Sequence, residues 1–241
     1  MSTVRMVVAQ HDQGSLSNRL LNGMAAADYA ALGPHLEMIT TELHDLLIAP
    51  RMPIEQLFFP ESGFASVTTI GPGRLEVGLI GREGLVGIAA LLGDDETPYE
   101  HFIQAPGTFL RIDRDALMRA FESSPSLRRR LLGYVHTVLI QTAQTAYVNA
   151  TYGIEARLVR WLLMCQDRLG GDELSLTHEF LAMMLGVQRT SVTLALQTLE
   201  GSGLIRARRG RIEIRDRDKM VLAANGGYGV PEAAYRRLIG A

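Results

Sequence analysis

A short apolar turn between two amphipathic segments is the feature that most restricts how this chain can fold. Leu185-Gly186-Val187 follows a segment in which Leu181 and Met184 share one face and Thr177 can cap the first turn. A second amphipathic segment runs over residues 189–200. A helix, a sharp turn that contains glycine and a second helix are typical of the helix-turn-helix hairpin that enters the major groove of DNA.

The second helix of this hairpin has one apolar and one polar face when successive residues are placed about 100° apart. The apolar face should pack inward and consists of Val192, Ala195, Leu196 and Leu199. The opposite face suits base edges, because arginine pairs with guanine, glutamine pairs with adenine and an apolar group meets the thymine methyl. We therefore predict DNA contacts from Thr177, Gln188, Arg189, Thr190, Ser191, Thr193, Leu194 and Gln197.

A basic hairpin, or wing, is predicted directly after the second helix. Residues 203–205 begin a strand, Gly210 permits a tight turn, and residues 211–214 return as a second strand. The arginines of this wing would lie where phosphates pass, and those predicted to contact them are Arg208, Arg209 and Arg211. The alternative is a plain helical hairpin with a solvated face, but positive charge at this position favours DNA contact.

Residues 54–112 have a different sequence pattern, in which short segments typical of β-strands are separated by glycine and proline turns. Apolar residues alternate with others from Leu75 to Leu79, so Glu76 falls on the polar side of a half-buried strand. Gly71-Pro72-Gly73 is a strong turn signal before that strand. This pattern predicts an antiparallel barrel or jelly roll. Residues 16–49, in contrast, look helical in places.

One long helix is predicted from about Pro125 to about Tyr152, with two apolar stripes at three- and four-residue spacing. The first stripe, to which we assign the contact with a second subunit, consists of Leu127, Leu131, Val135, Val138 and Thr142. The second stripe consists of Leu132, Leu139, Ala143, Ala146 and Ala150. Such a helix can face its own domain and a partner together, which predicts a homodimer. The alternative is a helix buried inside a monomer.

Composition limits the other possibilities. The chain has 24 Lys and Arg against 26 Asp and Glu, a net charge of −2, so any positive surface is local. Cys165 is the one cysteine, which excludes an intrachain disulfide and a multi-cysteine metal cluster. The six histidines show no ligand pair at helical spacing, and we predict no metal and no cofactor. With no long apolar run and no signal peptide, we expect a cytoplasmic protein without membrane contact.

These features resemble the Crp–Fnr family of bacterial transcriptional regulators. The closest match is the motif L-T-H-E-F-L-A-M-M-L-G-V-Q-R-T-S-V from Leu176 to Val192. Weaker matches lie at residues 59–63 and 81–87. The resemblance implies a dimeric regulator that binds double-stranded DNA and carries a β-rich sensor domain similar to a cyclic-nucleotide-binding domain. It also makes RNA polymerase a candidate partner.

The predicted fold class is α+β, with an N-terminal antiparallel β jelly roll, a long dimerisation helix and a C-terminal winged helix-turn-helix. The predicted divisions are a flexible tail (1–15), the sensor domain (16–125), the dimerisation helix (126–152), the DNA-binding domain (153–222) and a C-terminal extension (223–241).

The sequence departs from the cyclic-nucleotide-binding members of the family at two pairs of adjacent residues. The resemblance requires Gly-Glu for the ribose and Arg with Ser or Thr for the cyclic phosphate, whereas Gly87-Ile88 and Tyr99-Glu100 stand there. Glu100 would repel a phosphate, so we predict that the effector, which stays unknown, is not a cyclic nucleotide. Thr190 and Leu194 replace a Glu and an Arg of the recognition helix, which predicts a different target sequence.

Two other functions compete with a sequence-specific regulator. An architectural DNA-binding protein would share the hairpin and the wing but would need no effector. An enzyme on a cupin-like jelly roll would need a cluster of histidine and carboxylate ligands, and His101 is the sole histidine in residues 54–112. We therefore predict a regulator without enzymatic activity, and the sequence does not indicate whether it activates or represses.

Overall fold

A computed structural model of the chain describes residues 11–71 and 74–240. Within them lie a β-rich N-terminal part, one long central helix and a C-terminal part made of helices and a small sheet. Residues 1–10 of the predicted tail, and Pro72 and Gly73 of the predicted turn, lie outside the described residues. No helix in the described part of the chain has the length and apolar character needed to span a membrane.

The β-rich part consists of antiparallel strands, as predicted. These are β1 (Glu37–Thr40), β2 (Leu46–Ile48), β3 (Gln56–Pro60), β4 (Phe64–Thr68), β5 (Glu76–Ile80), β6 (Glu100–Ala105) and β7 (Thr108–Asp113). One sheet has the strand order β1-β7-β3 and the other has the order β2-β6-β4-β5. The mixture of these sheets with segregated helices confirms the α+β fold class.

The helices predicted within residues 16–49 are present in the first half of that segment. Two short helices, α1 (Arg19–Asn22) and α2 (Ala26–Leu32), lie there. The second half forms β1 and β2, because it pairs with strands distant in sequence, as where Ile39 faces Phe109.

Two apolar cores meet at the four-stranded sheet. On β6, Ile103 contributes to the core of the β-rich part, whereas the adjacent Phe102 contributes to the core of the C-terminal part. Phe64 and Leu79 on neighbouring strands join Phe102 in that second core. The outer face of the sheet is therefore covered by protein, and Glu76, predicted on a polar side, is only 6% exposed.

The central helix, α4 (Pro125–Thr151), begins and ends close to its predicted limits. It follows α3 (Arg114–Ser123) after a single residue, Ser124. The Ser124 Oγ accepts a hydrogen bond from the backbone N–H of Leu127, and Pro125 fits the first helical turn because that turn needs no donor there.

The two stripes of α4 have roles that differ from the predicted ones. Leu127, Leu131 and Val135 of the first stripe are buried in the core of their own subunit, so they are not available to a partner. Val138 is partly buried and Thr142 is exposed. The stripe that faces outward is the second one, Leu132, Leu139, Ala143, Ala146 and Ala150.

The C-terminal extension folds back along α4. After α8 (Arg217–Ala223), the helix α9 (Val230–Leu238) runs antiparallel to α4. Near one end Gln144 Nε2 donates to the Gly227 carbonyl oxygen at 3.3 Å, and near the other Arg130 Nη1 donates to the carbonyl oxygen that follows α9 at 3.2 Å. The extension therefore covers part of α4.

A buried carboxylate joins the β-rich part to the first helix of the C-terminal part, α5 (Ile154–Leu169). Glu76 accepts hydrogen bonds from Trp161 Nε1 at 2.7 Å and from Ser66 Oγ at 2.9 Å. Burial raises the pKa of Glu76 to about 7, although both hydrogen bonds act in the opposite direction. Arg168 at the end of α5 adds a hydrogen bond to the Leu79 carbonyl oxygen at 3.0 Å.

This carboxylate predicts a pH-dependent stability. Glu76 ionises near 4.5 when unfolded and at about 7 when folded, so the folded state holds more protons between these values. We therefore expect the free energy of unfolding to fall as the pH rises through this window, by up to about 3 kcal/mol from this group. In Glu76→Gln the amide oxygen still accepts from Trp161 but cannot ionise.

Urea unfolding of the wild type and of Glu76→Gln between pH 4.5 and 8 measures this contribution. The free energy of unfolding is plotted against pH for each protein, and the difference between the two slopes belongs to Glu76, because all other groups titrate in both. An equal slope in Glu76→Gln would contradict the expectation.

Candidate nucleic-acid interface

The C-terminal part contains the predicted helix-turn-helix and wing. Its elements after α5 are β8 (Glu173–Leu174), α6 (His178–Leu185), α7 (Arg189–Gly201), β9 (Ile205–Arg208) and β10 (Arg211–Ile214). The three strands form an antiparallel sheet in the order β8-β10-β9.

The hairpin between α6 and α7 follows from two local signals. Thr177 Oγ1 accepts a hydrogen bond from the backbone N–H of Phe180 at 3.1 Å, so this predicted DNA contact caps α6. Helix α6 ends at Gly186, whose φ of +62° is in the left-handed region that favours glycine. A Cβ at Gly186 would lie 2.9 Å from Leu75 Cδ1, so the turn packs closely against the β-rich part.

Helix α7 has the two faces that the sequence predicts. The inward residues, none more than 4% exposed, are Val192, Ala195, Leu196 and Leu199. The predicted DNA contacts that are exposed on or just before α7 are Gln188, Arg189, Thr190, Leu194 and Gln197. Ser191 and Thr193 are half-buried. Leu194 is 65% exposed.

Two residues of the outward face have partners within the domain. Thr193 Oγ1 donates to the Arg189 carbonyl oxygen at 3.1 Å and lies 3.0 Å from His178 Nδ1. Arg189 Nη1 lies 3.5 Å from Glu179 Oε1. Both members of that ion pair are mostly exposed, and such pairs contribute little, so the guanidinium can exchange its partner for a base.

The wing presents exposed arginines on both of its strands. Arg208 on β9 faces Arg211 on β10, and Gly210 in the turn has a φ of +73°. Arg208, Arg209 and Arg211 are exposed, and Arg211 Nη1 forms an ion pair of 2.9 Å with Glu173 Oε1. The wing therefore concentrates exposed positive charge in the segment that follows α7.

Hydrogen bonds fix the position of the wing relative to α7. Glu200 Oε1 accepts from the backbone N–H of Ala207 at 2.9 Å. The backbone N–H of Leu204 donates to the Leu199 carbonyl oxygen at 3.0 Å. The wing is therefore held against the C-terminal end of α7, and both elements keep exposed residues that can meet base edges and phosphates.

The position expected to hold a cyclic phosphate contains an ion pair. The carboxylate of Glu100 is paired with Arg74, whose guanidinium carbon lies 4.9 Å from the centroid of the Phe102 ring. The predicted repulsion by Glu100 is therefore smaller than the sequence indicated, because Arg74 balances its charge. Arg74 is in turn engaged by Glu100.

Among the described residues, no group of three or more His, Cys, Asp or Glu side chains is arranged to hold a metal ion. Cys165 is buried, and this burial raises the pKa of its thiol well above the usual value.

The sequence analysis missed the polar residues that connect α5 to the rest of the molecule. Arg168 is 6% exposed, forms an ion pair of 2.7 Å with Glu83 and donates to Gln141 Oε1 at 2.9 Å. Arg160 is also buried and donates to Thr145 Oγ1 at 3.0 Å. The signal that could have found them is the presence of two arginines on the apolar side of α5.

Comparisons with known proteins agree with this geometry. Residues 156–222 match the Crp-like helix-turn-helix domain. No curated protein matches the sequence significantly. FixK2 from Bradyrhizobium japonicum is a similar solved structure, with a TM-score of 0.68 and 14% identity, covering 78% of this chain and 96% of that one.

Two further structures have nearly the same similarity. A transcriptional regulator of the CRP/FNR family from Thermus thermophilus has a TM-score of 0.66 and 20% identity, covering 80% of this chain and 100% of that one. The c-di-GMP-responsive global regulator CLP from Xanthomonas campestris has a TM-score of 0.65 and 19% identity, with the same coverage of 80% and 100%. At these identities the likeness shows the fold.

Fold and interface together define a DNA-binding fold of the Crp/Fnr type with a winged helix-turn-helix. The chain carries a Crp-like helix-turn-helix domain on a Crp/Fnr-type fold, which confirms the resemblance to the Crp–Fnr family of transcriptional regulators.

Proposed function

We propose that this protein is a homodimeric regulator that reads specific DNA sequences with α7 in the major groove and contacts phosphates with the wing. The observation that carries the proposal is the exposed face of α7. Thr190, Leu194 and Gln197 lie on it, next to an arginine in the first turn. Leu194 is unfavourable in water at 65% exposure but would gain an apolar partner against a thymine methyl.

The dimer contact in this proposal is the outward stripe of α4. When the exposed His136 is included, its residues recur at alternating steps of four and three, the spacing of a coiled-coil seam, at Leu132, His136, Leu139, Ala143, Ala146 and Ala150. Val138 and Thr142 of the stripe first predicted would lie at the edge of that seam. Two paired subunits would present their recognition helices about one turn of DNA, roughly 34 Å, apart.

The proposed effector is neither cyclic AMP nor cyclic GMP. A cyclic phosphate that leaves water needs a charged donor, and an arginine fork provides one. Arg74, the arginine nearest to Glu100, is already engaged by that carboxylate. RNA polymerase stays a candidate partner of such a regulator.

We expect two arginine variants to affect DNA binding differently, because one removes a base contact and the other removes a phosphate contact. Selection of bound DNA from a random pool first supplies the target sequence. Arg189→Ala should lower affinity for that target by about 1–3 kcal/mol and relax the preference at one base pair. Arg209→Ala should weaken binding to all sequences alike and reduce the salt dependence. An equal, sequence-independent loss in both variants would overturn this assignment.

We expect the outward stripe of α4 to be required for the dimer. Leu139→Glu should weaken self-association at least about 100-fold, because two leucine side chains each lose burial worth about 1.5–3 kcal/mol. Leu222→Glu is the matched control, since Leu222 is 79% exposed on α8, a helix that contributes no residue to the stripe. Sedimentation at micromolar concentration measures both. A Leu139→Glu protein that stays as dimeric as Leu222→Glu would refute the proposed contact.

We expect millimolar cyclic AMP or cyclic GMP to leave the melting temperature unchanged. A ligand at 100 times its dissociation constant would stabilise the fold by about 2.7 kcal/mol, which thermal unfolding detects readily. A saturable rise in melting temperature would contradict this expectation, and its loss in Arg74→Ala would place the nucleotide beside Glu100.

A further inference from the structure

A cavity of about 640 Å³ lies where the β-rich part, the central helix and the C-terminal part meet. Its walls come from the turn after β5, from α4, from the end of α5 and from α9. This volume is within the usual range for small-molecule sites, about 300–1,000 Å³. None of Gly87, Ile88, Tyr99 and Glu100 lines it, so it is separate from the position considered for a cyclic nucleotide.

Arginines outnumber acidic residues in the walls of this cavity. The arginines are Arg19, Arg82, Arg168, Arg217 and Arg236. The acidic residues are Glu83, Asp167, Asp172 and Glu232. The cavity is therefore cationic overall, even before the partners of each group are considered.

Every acidic group of the cavity is engaged by a partner within the protein. Glu83 pairs with Arg168 at 2.7 Å, and Asp167 pairs with Arg217 at 2.6 Å. Asp172 Oδ1 accepts from Gln166 Nε2 at 2.7 Å, and Glu232 Oε2 accepts from the backbone N–H that precedes α9 at 2.9 Å. Two of the carboxylates form ion pairs with arginines, whereas Asp172 and Glu232 accept from neutral donors and keep their charge, so the walls carry one more positive than negative charge.

Two arginines of the cavity have unused hydrogen-bonding capacity. The Nε atoms of Arg82 and Arg168 are buried and have no hydrogen-bond partner among the described residues. Within the described residues, the Arg82 side chain donates to one acceptor, the Asp167 carbonyl oxygen, at 3.4 Å. Arg19 and Arg236 form no ion pair within the described part of the chain. A buried donor without a partner is costly, so a ligand that accepts hydrogen bonds would be stabilised here.

We propose that this cavity binds a small organic anion through its phosphate or carboxylate groups. Arginine guanidinium groups bind both kinds of oxyanion with paired, charge-assisted hydrogen bonds. Tyr134 and Tyr235 also line the cavity, and burial raises the pKa of both, so their hydroxyl groups stay neutral and do not repel an anion. The inference goes beyond DNA binding and is tested without DNA.

The test is a calorimetric titration of the full-length protein with inorganic pyrophosphate and, separately, with citrate, at constant ionic strength. Pyrophosphate probes phosphate recognition and citrate probes carboxylate recognition. We expect saturable binding of at least one of them with a dissociation constant below about 1 mM. Absence of saturable binding of both would overturn the proposal.

Two neighbouring arginines on α9 provide a matched pair of variants. Arg236 lines the cavity and Arg237 does not, although both are exposed on the same helix. Arg236→Gln should weaken anion binding about 10-fold, because a charge-assisted hydrogen bond is lost, whereas Arg237→Gln should leave it unchanged. Arg82→Gln should weaken it at least as much. Equal affinities in Arg236→Gln and Arg237→Gln would refute the proposed site.

The wing provides a second control, because its exposed arginines could also attract pyrophosphate. Arg209→Ala should bind the anion as the wild type does. A loss of anion binding in Arg209→Ala that Arg82→Gln and Arg236→Gln do not show would assign the anion to the wing and overturn the proposal. Since Arg236 is exposed, its variant keeps the test valid even if Arg82→Gln does not fold.

Discussion

A sheet that is apolar on both faces must be covered on both faces, and the four-stranded sheet of this protein is such a sheet. Its inner face belongs to the core of the β-rich part, and its outer face, through Phe64, Leu79 and Phe102, belongs to the core of the C-terminal part. Three side chains of the sheet therefore complete the core of the C-terminal part. Glu76 is buried at this junction because the sheet is covered there, and its bond to Trp161 satisfies a group that would otherwise be costly.

The same junction determines which surface of the helix-turn-helix is left for a partner. The turn at Gly186 packs against Leu75, so this side of the hairpin faces the β-rich part. The outward face of α7 and the wing stay exposed, and Glu200 joins α7 to the wing through its bond to Ala207. A surface that combines an exposed apolar residue such as Leu194 with flanking arginines is poorly suited to water and well suited to DNA.

The sequence predicted best what short-range patterns encode. Thr177, Gly186 and the spacing of apolar residues on α7 locate the hairpin, because capping, left-handed turns and helical periodicity are local properties. The sequence did not predict the features that depend on contacts between segments distant along the chain. β1 exists because β7 is beside it, and the buried position of Leu131 depends on the β-rich part that α4 contacts. The return of α9 along α4 likewise had no local signal.

Trp161 is the only tryptophan of the chain, and its indole N–H is bonded to the buried carboxylate between the two parts. Indole emission depends on the polarity, charge and hydrogen bonding around the ring. The intrinsic fluorescence of this protein therefore originates at a single junction and contains no second tryptophan signal. Any rearrangement of the two parts, and any proton gained or lost by Glu76, would alter the spectrum of the unlabelled protein in solution.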